Sequence, residues 1–147
     1  MRIIWCSIFF LLFSCLEDNN RSPEGALKEF IEMRIGNVVT RTSILEKVTG
    51  KMKMNLEHVT DEDFKQFADL TNVERDSFKV LSKSCQENTC FLTYAISYKT
   101  KHNDKAAFTS EVKKIAELNK VEGKWFIADV TNIKTYHEGL EAINALQ

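Results

Sequence analysis

An α+β domain, with N-terminal helices packed on one face of a strongly curved antiparallel sheet of about four long strands, is the fold class that this chain predicts. Apolar residues recur at helical spacing up to about residue 70, behind well-capped starts. After Asn72 the period changes to strand-like alternation. The alternating runs are separated by short polar or Gly-containing connections, which is how hairpins are joined.

The first fourteen residues stand apart from this pattern. Arg2 is followed by an apolar stretch over residues 3–13, broken only by Cys6 and Ser7. Such a stretch is too short to span a bilayer, and with its positive start it reads as a secretory signal. The segment Leu12-Phe13-Ser14-Cys15 resembles the lipobox of bacterial lipoproteins, whose cysteine is acylated and becomes the new N-terminus. That resemblance implies a signal peptide over residues 1–14, a lipid on Cys15, a tether over 15–22 and an α+β domain over 23–147. It places the protein at the cell envelope, attached to the membrane through its N-terminal lipid. Leu16, rather than aspartate, follows the cysteine, which favours the outer over the inner membrane. Residues 16–22, if flexible, have a root-mean-square reach of about 15 Å. In a eukaryotic secreted protein, Asn20-Arg21-Ser22 would instead be a glycosylation acceptor.

The chain has 20 basic and 21 acidic residues in 147, a formal net charge of −1. A near-neutral chain has no electrostatic reason to seek polyphosphate, so nucleic acid is not an expected partner. One Pro, five Gly and 44% hydrophobic residues describe a folded globule. Of the four cysteines, the lipoprotein reading removes Cys6 with the signal and gives Cys15 to lipid. Cys85 and Cys90 remain, and an even remainder in an oxidising compartment points to a disulfide. They flank Gln86-Glu87-Asn88-Thr89, a turn-like stretch between two strand-like runs, so a hairpin would bring them opposite one another. A metal site at these cysteines would need two further ligands, the nearest histidine being His102, and no metal is expected.

The elements follow in order. Ser22 can cap free amides, Pro23 suits the first helical position, and Glu24 meets the positive end of the helix dipole. Leu27, Phe30, Ile31 and Ile35 form one apolar stripe behind them, and Gly36-Asn37 is a natural stop. A shorter helix is expected over residues 42–48, with Ile44, Leu45 and Val48 inward and Gly50 ending it. Thr60 caps a third over 61–70, with Phe64, Phe67 and Ala68 inward. Between these, Met52 and Met54 are expected under the helices, with Lys51 and Lys53 solvated. Strands are expected over residues 78–84, 90–100, 108–120 and 124–135, with Glu122-Gly123 a tight turn. Lys99, Lys101 and Lys105 gather near one hairpin tip, and residues 137–147 carry apolar residues at helical spacing.

The order of elements, with Ser22-Pro23-Glu24-Gly25-Ala26-Leu27-Lys28-Glu29-Phe30 running to Gly36-Asn37, and Glu122-Gly123-Lys124-Trp125-Phe126-Ile127, resembles the nuclear transport factor 2-like superfamily, also called cystatin-like or SnoaL-like, as found in small bacterial lipoproteins. Asn37 stands where an acid is usual in that group, and the Cys85/Cys90 hairpin is an addition to it. The resemblance implies a sheet wrapped into a cone whose mouth holds a small ligand, in a superfamily that includes isomerases, cyclases and dehydratases. By strand parity Tyr94, Ile96 and Tyr98 share one face, and Trp125, Ile127 and Asp129 share another. If both line the cone, Tyr94, Tyr98, Trp125, Ile127 and Asp129 are candidate pocket residues, with Asp129 as a base and Tyr94 as its donor in a small isomerase or hydratase. Parity alone does not make a catalytic site. The sequence therefore assigns no catalytic residue beyond those two candidates, no cofactor, and no metal role to His58, His102 or His137. What it favours is a non-catalytic domain that binds a small apolar ligand or an envelope protein.

Overall fold

Ser22 Oγ accepts a hydrogen bond from the Gly25 N–H at 3.0 Å, and Pro23 opens the helix behind it. This is α1 (Pro23–Arg34), which closes where the Ile35 N–H donates to the Ile31 carbonyl. Its stripe of Ala26, Leu27, Phe30 and Ile31 is buried, and each large member contributes roughly 2 kcal/mol of apolar burial. The structure, a computed structural model, describes residues 19–35, 38–68, 70–102 and 105–139. Residues 1–14, Cys15, the Gly36-Asn37 stop and residues 140–147 lie outside that set.

Before α1, Asn19–Arg21 forms a turn of 3-10 helix that touches α1 and the last strand, so folded structure begins inside the stretch read as tether. α2 (Arg41–Leu45) is shorter than expected and starts at a capping box in which Thr40 and Ser43 bond each other's backbone N–H. The expectation that Gly50 ends this helix is incorrect, because Gly50 opens another, α3 (Gly50–His58). Gly50 has φ +55°, and a Cβ there would stand 3.5 Å from Ala128 Cβ, so the residue serves a left-handed entry against a neighbouring strand. Met52 is half-buried as expected. Met54 is 58% exposed, because it falls on the outer side of α3. α4 (Asp61–Ala68) is capped by Thr60 Oγ1, which accepts from the Asp63 N–H at 3.1 Å, and it buries Phe64 and Ala68.

The strands are β1 (Val73–Gln86), β2 (Thr89–His102), β3 (Lys105–Val121) and β4 (Lys124–Gly139), all antiparallel and in sheet order β1-β2-β3-β4. β2 and β4 are each reached by a short turn. Glu122 and Gly123 both take positive φ, 50° and 83°, the geometry of a type I′ hairpin. β1 begins five residues before the alternating pattern, because Arg75 and Asp76 are held by charge rather than burial: Asp76 pairs with Lys99 at 2.8 Å and Arg75 with Glu32 at 2.9 Å. β4 runs through His137 to Gly139, so those residues belong to the sheet and not to a terminal helix.

Register shifts at Asp76 and Leu81 in β1, at residue 107 in β3, and at Ala128 and Ile133 in β4 mark bulges, which bend the strands and curve the sheet. The helices cover one face. Leu92, Tyr94 and Ile96 of β2 and Val112, Ala116 and Leu118 of β3 alternate into the core beneath Leu27, Phe30, Ile44, Leu56 and Phe64. The opposite face is exposed, with Phe91 and Tyr136 among its side chains. The β4 edge is partly covered by the segment before α3: the Ile127 N–H donates to the Lys47 carbonyl and the Thr49 N–H to the Ile127 carbonyl, at 3.1 and 2.8 Å.

Candidate functional site

Between the C-terminal half of α1 and the inner face of β2 and β3 lies a cavity of about 220 Å³. Its walls are mostly apolar: Ile31 of α1 and Ile35 just after it, Leu70 before β1 and Val73 at its start, and Ile96 from β2. Four polar side chains also line it, Arg34, Tyr94, Tyr98 and Lys114. The sheet brings three of these together by register, since Tyr94 stands opposite Lys114 and Tyr98 is two inward positions further along β2.

Arg34 is held firmly. Its guanidinium lies 4.0 Å from the Phe67 ring centroid and 5.4 Å from that of Phe30, and Nη2 donates to the Phe67 carbonyl at 2.7 Å. Its Nε is buried with no hydrogen-bond partner. Burial holds the guanidinium's pKa below its ordinary value. Lys114, half-buried, has its pKa lowered first by burial and second by the charge of Arg34. The Tyr94 phenol, packed against Phe78 with ring centroids 5.8 Å apart, is pushed up to about 12 by burial. Two cations thus share one largely apolar space. Among the described residues, no carboxylate forms an ion pair with either.

The candidate pocket residues separate into two groups. Tyr94 and Tyr98 line the cavity. Trp125 and Ile127 are buried in the core, but Trp125 is paired with Lys120, six residues and about 20 Å along β3 from Lys114. Asp129 leaves the inner face altogether. The bulge at Ala128 shifts parity, so Ile127 and Ala128 are both buried while Asp129 pairs with Glu117, which alternates outward between Ala116 and Leu118. There Asp129 Oδ2 accepts from Lys51 Nζ at 2.8 Å and Oδ1 from the Val130 N–H at 2.9 Å. Asp129 and Tyr94 therefore do not converge on one reacting atom.

The histidines are dispersed. His58 ends α3, with Nδ1 2.7 Å from the Met54 carbonyl oxygen, and His137 Nδ1 lies 2.7 Å from the buried Ser110 Oγ. His102 ends β2, and its side chain lies outside the described set, as do those of Lys101 and Lys105. Among the described residues, no three of His, Cys, Asp and Glu gather as a metal site would require. Cys85 and Cys90 are direct cross-strand partners, with Cα atoms 4.0 Å apart and sulfurs at disulfide-bonding distance. No helix among the described residues is long and apolar enough to cross a membrane.

Arg34 and Lys114 were not among the residues that sequence parity singled out, although a signal for each is present. Arg34 continues the α1 stripe at three and four residues from Ile31 and Phe30, and Lys114 falls between Val112 and Ala116 on an otherwise inward face. A charge at an inward position is the pattern that exposes them.

No protein-family model matches this chain, and no curated protein matches it in sequence. Among solved structures, it is similar to the solution structure of a SEC-C motif-containing protein from Rhodopseudomonas palustris. The TM-score is 0.55 and the identity 9%, over 78% of this chain and 81% of that one. At that identity the likeness concerns the fold alone.

Proposed function

We propose that this protein is a lipid-anchored envelope protein whose α+β domain binds a small ligand in the cavity under α1, without chemistry of its own. The cavity carries the reading: it has apolar walls with a few convergent polar groups, the ordinary make-up of a small-molecule site. The lipobox-like Leu12-Phe13-Ser14-Cys15 supplies the anchor, Leu16 favours the outer membrane, and the Cys85/Cys90 pair suits an oxidising compartment. The four-stranded bent meander behind helices supports the resemblance to small lipoproteins of the nuclear transport factor 2-like superfamily. An isomerase or hydratase using Asp129 and Tyr94 has less support, since the ion pair with Lys51 occupies Asp129 on the other face.

The two halves of the reading separate experimentally. Wild type is expected in the detergent-rich phase on partitioning and Cys15→Ala in the aqueous phase; equal partitioning of both into water would remove the anchor. A small neutral apolar probe such as benzene is expected to shift the methyl resonances of Ile31, Val73 and Ile96. Unmoved methyls would remove the cavity as a binding site.

A further inference from the structure

Resting on the ligand-binding reading above, we propose that the cavity's ligand is a compact organic anion, a carboxylate joined to an apolar body of a few carbons, held at its head by Lys114 and Arg34. Lys114 stands between Val112 and Ala116 on the inner face, where an apolar side chain of similar volume would pack without penalty. Its ammonium is half-withdrawn from water and lies close enough to a second cation to feel its charge. A lysine so placed destabilises the protein that carries it, and residues of that kind mark function more often than packing.

Among the described residues, the missing element is negative charge. Arg34 has its Nη2 committed to the Phe67 carbonyl, while its Nε carries no partner at all. A buried N–H left unpaired is costly, but Nε is closed off from the cavity, so a carboxylate would meet the part of the guanidinium that lines it. Neither cation has a carboxylate partner among the described residues, in a chain that elsewhere pairs Lys47 with Glu29, Lys99 with Asp76 and Lys83 with Glu24. The planar guanidinium and the lysine's point charge together suit a carboxylate head. Ile31, Ile35, Val73 and Ile96 provide an apolar wall for the remainder. With about 30 Å³ of liquid volume per water-sized group, the cavity of about 220 Å³ holds roughly seven such groups, close to the size of hexanoate or benzoate.

The test compares each acid with its isosteric amide. Hexanoate and benzoate at millimolar concentration are expected to raise the melting temperature and shift the cavity methyls, hexanamide and benzamide to do so at least tenfold more weakly, and inorganic phosphate hardly at all. Lys114→Met is expected to raise the melting temperature of the free protein by a few degrees and to weaken hexanoate about tenfold or more; Lys114→Arg is expected to retain the preference for acid over amide. Amides that bind as well as the acids would overturn the anion while leaving the cavity as a binding site. Phosphate that protects as well as hexanoate would overturn the apolar body. If neither acid nor amide moves the methyls, the ligand-binding reading fails and this inference with it.

Discussion

The Tyr94 phenol lies among Phe78, Arg34 and Lys114, and burial raises its pKa to about 12 despite a smaller opposing pull from the Arg34 charge. In the unfolded chain the same group ionises near its ordinary value of about 10. Above about pH 10 the unfolded chain therefore gives up a proton that the folded chain keeps. This contribution to stability is intact below pH 10 and falls as pH rises toward 12. Arg34 and Lys114, whose pKa values burial lowers, act in the opposite sense as they lose their protons, so the phenol must be isolated by comparison with Tyr94→Phe. Between about pH 9 and pH 11.5 wild type is expected to lose about 2 kcal/mol relative to that variant in chemical denaturation. Parallel pH profiles would contradict it. Much of the residue scale was legible in the sequence: Ser22, Pro23 and Thr60 cap as their types dictate. Asp129 was not, because a bulge at Ala128 reverses parity and nothing in the local sequence marks where a strand gains a residue.

At the scale of elements, the helices are joined by a residue with no conspicuous place in any motif. Arg41 opens α2 and sends Nη1 to the Leu56 and Val59 carbonyls at 2.7 and 2.9 Å, and Nη2 to the Thr60 carbonyl and Asp61 Oδ1 at 3.1 and 2.8 Å. Its guanidinium also lies 4.9 Å from the Phe64 ring centroid. One side chain thus satisfies carbonyls at the end of α3 and holds the start of α4. Arg41→Ala is expected to destabilise by roughly 2–3 kcal/mol, read as a lowered urea midpoint at unchanged slope. A loss under about 0.5 kcal/mol would show the contacts to be incidental. α3 itself escaped the sequence reading because Gly50 looks like a helix end. What places it at a start is the approach of Ala128 from β4, a contact nearly eighty residues away in sequence. The Glu122-Gly123 turn, by contrast, is purely local and was legible for that reason.

For the whole molecule, period and punctuation carried the fold class: helical spacing before Asn72, alternation after it, and tight turns between runs specify helices on an antiparallel meander. The cavity was less legible, because it depends on which helix end meets which part of the sheet. Arg34 and Lys114, eighty positions apart, become neighbours only when α1 lies across β2 and β3. The lipobox-like segment would hold this domain near a membrane surface, where weak binding of a small amphiphile gains from local concentration. The most direct measurement is a filtered nuclear Overhauser experiment on the protein with hexanoate. The expected result is contacts from the ligand chain to the methyls of Ile31, Val73 and Ile96, which Lys114→Met weakens. Contacts confined to the exposed sheet face around Phe91 and Tyr136, or no contacts at all, would contradict a ligand cavity beneath α1.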